Sequence, residues 1–186
     1  MEKKSGRRNA AATRAAILAA ARLEFSQRSY DRVGVRDIAA RAGVNPALVN
    51  RYFGSKPRLF AAAYAGGFRL QELLQGERSR LGERLARHVM RRRGPNDEAP
   101  LMLLFHSATS EAALPMIRTA LASRLITPLA MWLGGRDAKQ RAALIASHLL
   151  GLATLSVVLR VTALRQSHAE AIVRHVAPIL QRYIDG

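Results

Sequence analysis

The sequence predicts an all-α fold. Alanine and leucine, with 33 and 25 residues, far outnumber the 24 valines, isoleucines and threonines combined, a balance that favours helix over strand. Apolar side chains recur at the three- and four-residue spacing of amphipathic helices. The chain has 186 residues, of which 49% are apolar, so it can bury a core as one domain or two small ones and falls outside the disordered class.

The chain begins with a basic segment and a first helix. Residues 1–9 are polar and basic, and we expect a disordered arm there. A helix follows over residues 11–28, and turn-forming residues at 29–34 end it. Its predicted apolar face consists of Ile17, Leu18, Ala21 and Phe25.

Two short helices separated by a glycine are predicted next. Residues 35–42 form the first, and Gly43 ends it where a left-handed backbone is needed. Asn45 then caps the second helix, with Pro46 at its first position. This helix runs to about the residue before Gly54.

This arrangement is that of a helix-turn-helix, although many helical proteins contain short helices joined at a glycine. Three segments are more specific: residues 13–25 read TRAAILAAARLEF, residues 35–44 read VRDIAARAGV, and residues 52–60 read YFGSKPRLF. Through these segments the chain closely resembles the N-terminal domain of TetR-family transcriptional regulators, over about residues 11–64 and without a gap.

The resemblance implies a fold and a function. It implies a dimeric, ligand-responsive repressor with a three-helix DNA-binding head, expected at residues 10–55, and a divergent helical domain for effector binding and dimerisation, expected at residues 56–186. Such a homodimer would bind a near-palindromic double-stranded DNA operator, one half per subunit, until a small-molecule effector released it. The sequence does not distinguish a repressor from an activator.

The charge of the chain agrees with this expectation. A net charge of +17 and a pI of 11.7 indicate a polyanionic partner, either nucleic acid or an anionic membrane surface. Residues 1–60 carry +9 and residues 61–93 carry +5. A genome that favours arginine codons explains the many arginines about equally well. A helical protein that binds nucleic acid or anionic surfaces without sequence preference is therefore the alternative.

Two sets of residues in the predicted head are expected to contact DNA. Side chains at helix N-termini suit phosphate, and for this role we select Arg36, Asn45, Tyr52 and Lys56. Lys56 matches the phosphate-binding lysine of the family. The exposed face of the recognition helix is expected to read bases through Pro46, Ala47, Asn50 and Arg51. In the arm, Arg7 and Arg8 either enter the minor groove or belong to a solubilising tail.

Three positions depart from the family pattern. Gly34 stands where Thr or Ser often caps the second helix, Asn50 stands where Tyr is usual, and Tyr52 stands where His is usual. Asn50 is shorter than tyrosine, so it either reads adenine directly or has a shorter reach to phosphate. The operator sequence therefore cannot be taken from a relative.

The rest of the chain predicts a second helical domain. Ser55 caps a helix that tolerates Pro57 in its first turn and continues toward residue 76, and an arginine-rich helix then reaches about residue 93. A loop is expected at residues 94–97. Later helices are expected at residues 100–110, 114–133 with an interruption near Pro128, 137–162 after a break at 134–135, and 168–184 with a bend at Pro178.

The last two predicted helices are too apolar for the surface of a monomer. The uncharged run at residues 142–159 just reaches the length of a membrane span, but we expect a helix buried between other helices. Two such helices from each subunit would form a four-helix dimer interface. The candidate interface residues are Leu144, Ser147, Gly151, Thr154, Leu155, Val158, Ile172, Val176, Ile179 and Tyr183.

A small apolar effector is expected to bind between the middle helices, in a pocket with few polar groups. The candidates are more often ordinary core residues than ligand contacts, and His106 stands out because a histidine on an apolar stretch needs a partner. They are Phe68, Leu104, Phe105, His106, Met116, Met131 and Trp132.

Other functions are disfavoured. The absence of cysteine excludes disulfides, thiolate metal sites and cysteine nucleophiles. The common hydrolase, zinc-protease and phosphate-loop motifs are absent, and the five histidines are scattered with weak metal spacing. We therefore expect no enzyme activity, no cofactor and no metal. The N-terminus lacks the pattern of a secretory signal, so we expect a cytoplasmic protein without a membrane span.

Overall fold

The computed structural model describes residues 2–65, 70–91 and 95–186, and the regular elements in those ranges are helical. The longer helices, in chain order, are α1 Glu2–Gln27, α2 Val35–Ala42, α3 Pro46–Phe53, α4 Lys56–Ala65, α5 Leu70–Leu73, α6 Leu81–Met90, α7 Pro95–Ser107, α8 Leu114–Leu121, α9 Thr127–Leu133, α10 Ala138–Ala153 and α11 Ala169–Asp185. The predicted all-α class is confirmed.

The chain forms two compact units. The first unit comprises residues 1–67 and 95–120, and the second unit comprises residues 68–94 and 121–186. This division differs from the predicted boundary after residue 55, because α4 and α7 both pack against α1. A boundary drawn along the sequence cannot anticipate that a later helix returns to the N-terminal bundle.

The first helix is longer than predicted. α1 begins at Glu2, so residues 2–9 are helical instead of forming a disordered arm. Lysine, arginine and glutamate are good helix formers, and Gly6 is the least favourable residue for a helix in this segment. The hydroxyl of Thr13 donates a hydrogen bond to the Asn9 carbonyl, 2.9 Å away, across the predicted junction. The side chains of Arg7 and Arg8 lie outside the described residues.

An aromatic cluster forms the centre of the first unit. The ring centroid of Phe60 lies 5.0 Å from those of Phe25 and Tyr30, in edge-to-face contacts. The connection after α7 holds the turn between α1 and α2: the Tyr30 N–H donates to Ser107 Oγ at 3.1 Å, and the Ser110 hydroxyl donates to Asp31 Oδ1 at 3.1 Å. The helix-turn-helix is thereby fixed to α7.

In the second unit, α6 packs closely against α11, while α9 and α10 complete the core. Gly82 permits this approach, because a Cβ atom at that position would lie 2.5 Å from the Ala177 carbonyl oxygen. The Gly82 N–H donates to Gln181 Oε1 at 3.0 Å. A residue without a side chain therefore determines how near the two helices lie.

Proline and glycine explain where the later elements differ from prediction. Of the loop expected at residues 94–97, residue 94 lies outside the described residues, and residues 95–97 instead begin α7, because a proline is well suited to the first turn of a helix and Pro95 occupies it. The interruption near Pro128 is confirmed: a π-helical turn, Ala122–Ile126, precedes α9. The helix predicted over residues 137–162 is shorter, since α10 passes into a π-helical turn at Thr154–Val158.

The apolar segment Ala138–Val158 is long and apolar enough to cross a membrane by length and composition, and 28% of its most apolar stretch is buried in the chain. This helix is thus only partly buried within one copy, and its burial in an interface between two copies stays a prediction. Its neighbours α6, α9 and α11 leave one side uncovered. Leu144, Leu155 and Leu159 remain 37%, 42% and 57% exposed.

Candidate nucleic-acid interface

Local signals position the recognition helix α3. Gly43 adopts φ +65° and ψ +34°, the left-handed conformation predicted for the end of α2, and the Val44 N–H returns to the Ala39 carbonyl at 3.0 Å. Asn45 Oδ1 accepts a hydrogen bond from the Ala47 N–H at 2.8 Å, and Pro46 follows at the first helical position. The predicted cap and bounds of α3 are confirmed.

A carboxylate compensates for the weak glycine cap of α2. The Gly34 N–H donates to Asp37 Oδ2 at 2.8 Å, which is the returning half of a capping box. This backbone hydrogen bond lowers the pKa of Asp37, and the Arg28 guanidinium, 3.2 Å away, lowers it further. The sequence signal was an acidic residue three positions after the cap.

A buried carboxylate joins α1 to α2. Burial raises the pKa of Glu24, but hydrogen bonds and charge from Arg41 and Arg28 outweigh that effect and leave the pKa below its ordinary value. Arg28 belongs to the end of the α1 region, whereas Arg41 comes from α2. Two of the arginines in residues 1–60 therefore stabilise the fold.

The recognition helix has two distinct faces. Val49 and Phe53 are buried against the rest of the first unit, and Leu48 and Tyr52 are half-buried. The four candidate base-reading residues are all exposed: Pro46, Ala47, Asn50 and Arg51. The amphipathic pattern of α3 thus places one side toward the core and leaves a polar side open.

The candidate phosphate-binding residues differ in their exposure and in the contacts that they already make within the chain. Arg36 is exposed in the first turn of α2. The side-chain oxygen of Asn45 accepts the capping hydrogen bond of α3, so the side-chain NH2 group remains available as a donor. The Lys56 ammonium lies 4.1 Å from the centroid of the Tyr30 ring, and burial lowers the pKa of Lys56. Lys56 is thus already oriented by a cation–π contact.

Two further arginines border α3 and were missed by the sequence reasoning. The Arg14 guanidinium carbon lies 4.8 Å from the centroid of the Phe53 ring, at the end of the recognition helix. Arg58 is exposed in the first turn of α4, beside Gly54. Its position two residues after Lys56 was a usable signal, whereas the contact of Arg14 depends on how α1 packs.

The comparison with protein families identifies both parts of the chain. The family model described as "Bacterial regulatory proteins, tetR family" matches residues 17–63, and the model described as "Tetracyclin repressor-like, C-terminal domain" matches residues 79–184. Together they cover more than half of the chain. The chain belongs to the TetR family. Its α2–turn–α3 segment is the helix-turn-helix of this family of DNA-binding transcriptional regulators.

Individual relatives agree with this membership. A TetR-family regulator from Streptomyces coelicolor is 30% identical, with 95% of this chain and 96% of that chain covered and a TM-score of 0.62. NalD of Pseudomonas aeruginosa, at 18% identity, covers 92% of this chain and 95% of its own with a TM-score of 0.69, which supports the fold alone. An HTH-type transcriptional repressor of Mycobacterium tuberculosis is 45% identical over 64 residues, and this match spans about a third of each chain, 34%.

The effector candidates of this TetR-family chain fall in different units. Phe68 lies outside the described residues. Leu104, Phe105, His106 and Met116 belong to the first unit, and Met131 and Trp132 belong to the second. Phe105 is 50% exposed and Met131 is 79% exposed, while the Trp132 ring is covered by the Arg78 guanidinium at 4.9 Å.

A surface groove of about 390 Å³ in the second unit has a different lining. None of the described effector candidates borders this groove, which is charged. It is lined by Gly76, Glu77, Arg80, Glu83, Arg84 and Arg87.

The interface candidates lie on α10, on the π-helical turn after it and on α11. Ile172 is the exception to an otherwise accessible set, because it is buried in the core cluster of the second unit and is therefore unavailable to a second copy. The exposed residues are Leu144, Ser147, Gly151, Leu155 and Ile179, and the half-buried ones are Thr154, Val158, Val176 and Tyr183. Within the described ranges, no group of three or more histidines and carboxylates is arranged to hold a metal ion.

Proposed function

We propose that this TetR-family protein is a cytoplasmic homodimeric repressor that binds a near-palindromic DNA operator and is released from it by a small-molecule effector. The observation that carries the proposal is the open polar face of α3. It presents Asn50 and Arg51 on a helix whose opposite face is buried in the first unit. A helix held in this way suits insertion into the major groove.

The electrostatics of the head support a DNA partner. Residues 1–60 carry a net charge of +9, and exposed or half-buried cations lie at the N-termini of α2 and α4. Arg36 and Lys56 are the proposed phosphate contacts there, because helix N-termini add a favourable partial charge. Arg58 joins the proposed DNA-facing set on account of its exposed position beside α3.

The apolar side of α10 and α11 supports a homodimer. Leucines and isoleucine at 37–57% exposure line the side of α10, its following turn and α11 that the chain itself leaves uncovered. A second copy offers an identical apolar surface, and two-fold pairing gives each head one operator half-site. The Mycobacterium tuberculosis relative is named a repressor, which supports repression as the direction of control.

The effector is the regulatory part of the proposal. A small apolar molecule would have to bind the DNA-free state more tightly than the DNA-bound state to shift the population. Leu104, Phe105, His106 and Met116 of the first unit remain its candidate contacts. The first three lie in α7, the helix that is fixed to the α1–α2 turn by the Ser107 hydrogen bond, and Met116 lies in α8.

A selection of bound genomic fragments, followed by gel-shift titration, tests the central claim. We expect a selected operator to bind at least roughly a thousandfold more tightly than a random duplex at physiological salt. Equal affinity for selected and random duplexes would contradict the repressor proposal and favour the alternative of binding without sequence preference.

A further inference from the structure

We infer that α3 reads three base classes in each half-site: a thymine methyl group through Ala47, an adenine through Asn50 and a guanine through Arg51. This inference rests on the proposed DNA-binding function and adds the chemistry of the operator. It follows from which polar groups of the first unit already have partners, and from the order of exposed residues along the helix.

The arginines of the first unit separate into engaged and free groups. Arg28 and Arg41 bind the buried Glu24, and Arg22 Nε donates to the Ala63 carbonyl at 3.3 Å. The Arg14 guanidinium lies on the Phe53 ring. These side chains hold the helices together, so reaching for a base would cost them an existing contact.

Arg51 has no such commitment. Its exposed guanidinium makes no hydrogen bond, ion pair or ring contact with the part of the chain that the structure describes. It points from the last turn of the recognition helix and needs to break nothing to reach a base pair. A free guanidinium fork is suited to the O6 and N7 acceptors of guanine.

Asn50 is free in the same sense. Its side chain is exposed and makes no hydrogen bond within the described residues, while its backbone carbonyl accepts from the Gly54 N–H at 2.7 Å and completes the helix end. The side-chain amide therefore keeps both a donor and an acceptor. That combination matches the N6 and N7 groups of adenine.

Ala47 supplies the third contact. It lies one helical turn before Asn50 and Arg51, at spacings of three and four residues, so the three side chains share one strip of the helix surface. A methyl group at the start of this strip offers the major groove an apolar surface, which fits the 5-methyl group of thymine.

The two ends of α3 keep the strip accessible. At the start, the Ala47 N–H already donates to the side-chain oxygen of Asn45, so it does not need an acceptor from DNA. At the other end, Gly54 follows Asn50 by one turn and adds no side chain of its own, while the exposed, flexible side chain of Arg58 lies beside it. Small residues at both ends allow the helix to lie close to the base edges.

Base analogues test each pairing on the selected operator. Uracil for thymine removes the methyl group, and 7-deazaadenine or 7-deazaguanine removes an acceptor at one position. For the wild-type protein we expect one position of each type per half-site at which the analogue weakens binding roughly 3- to 20-fold. The loss at that position should vanish in the matching variant: Ala47→Gly for uracil, Asn50→Ala for 7-deazaadenine and Arg51→Met for 7-deazaguanine.

Arg36→Met is the matched control, because this residue is exposed in the same head but proposed to contact phosphate. It should weaken binding to all duplexes and keep every analogue effect. Circular-dichroism melting verifies that each variant is folded, and Ala47→Ser repeats the uracil test with a better helix former than glycine. Analogue losses that persist unchanged in the folded matching variants would overturn the inference while the operator preference stands. Equal binding of the selected operator and random duplexes by the wild-type protein would instead contradict the proposed function.

Discussion

The recognition helix α3 and the long helix α10 each leave one face uncovered, but the two faces differ in chemistry. α3 exposes Asn50 and Arg51, which water solvates well, whereas α10 exposes Leu144 and the turn after it exposes Leu155. A polar open face is stable in water until a partner arrives, while a contiguous apolar one favours permanent burial. The open face of α3 therefore suits transient DNA binding, whereas the open face of α10 suits the lasting subunit contact that we propose.

Both units also use arginine to hold their helices in place. In the first unit, Arg28 and Arg41 bind a buried carboxylate. In the second unit, Arg141 donates to the Tyr183 carbonyl at 2.9 Å, and Arg78 donates to the Leu133 carbonyl at 3.0 Å, so both bind the carbonyl-rich ends of helices. The net charge of +17 is consequently more than a DNA footprint, since part of it stabilises the fold.

The largest expected effect comes from placing a charge on the apolar face. Leu155→Asp should weaken the dimer by about 3 kcal/mol, roughly a hundredfold in dissociation constant, because an unpaired carboxylate would be buried in the contact. Light scattering should then show a mass near 20.4 kDa in place of twice that value. Lys139→Glu, an exposed charge change at the start of α10, is the control that should remain dimeric. A wild-type monomer would refute the interpretation of this face.

The buried carboxylate of the first unit gives the next effect. Glu24→Gln should lower the free energy of unfolding by about 2 kcal/mol at pH 7, because two charge-assisted hydrogen bonds are weakened. Urea denaturation measures this change. Glu83→Gln, in an exposed ion pair of α6, should cost well under 1 kcal/mol.

The same carboxylate predicts a pH dependence. The pKa of Glu24 is lower in the folded protein than its ordinary value of 4.5, so its stabilisation is present above pH 4.5 and is lost as the pH falls through the folded pKa. The stability difference between the wild type and Glu24→Gln should therefore shrink below pH 4.5. A difference that stays constant down to acid unfolding would contradict the assigned role of Glu24.

Two glycines provide a smaller, matched comparison. Gly82→Ala should destabilise the protein by about 1–3 kcal/mol, because its Cβ would lie 2.5 Å from a backbone oxygen and 2.9 Å from the Gln181 nitrogen. Gly151→Ala meets nothing within 4 Å in the same chain, so it should stabilise the monomeric protein, melted at a concentration below that of dimer formation, by up to about 1 kcal/mol. Thermal melting distinguishes the two. Equal destabilisation of both variants would show that helix packing is not the cause.

The smallest effect is expected at a phosphate contact. Lys56→Ala should weaken binding to every duplex by about 1 kcal/mol, roughly fivefold, and should reduce the slope of affinity against salt by about one ion. Lys139→Ala, far along the chain in α10, is the charge-matched control. A loss confined to the selected operator would assign Lys56 to base reading instead.

The accuracy of the sequence-based predictions depended on the range of the interactions. The bounds of α2 and α3, the left-handed Gly43 and the Asn45 cap were predicted correctly, because steric restriction and capping act within four residues. The bond from Tyr30 to Ser107 joins residues 77 positions apart, and no local pattern indicates it. For the same reason the packing of α7 with the N-terminal helices was not predicted.

The sequence alone determined the helical class, the helix-turn-helix and the polar face of α3, since composition, glycine, proline and apolar spacing act locally. Only the tertiary structure decided which cations are committed to internal partners and which remain free. It also decided that Ile172 belongs to the core while Ile179, seven residues further along the same helix, stays exposed. These outcomes depend on which helices meet, and long-range packing determines that choice.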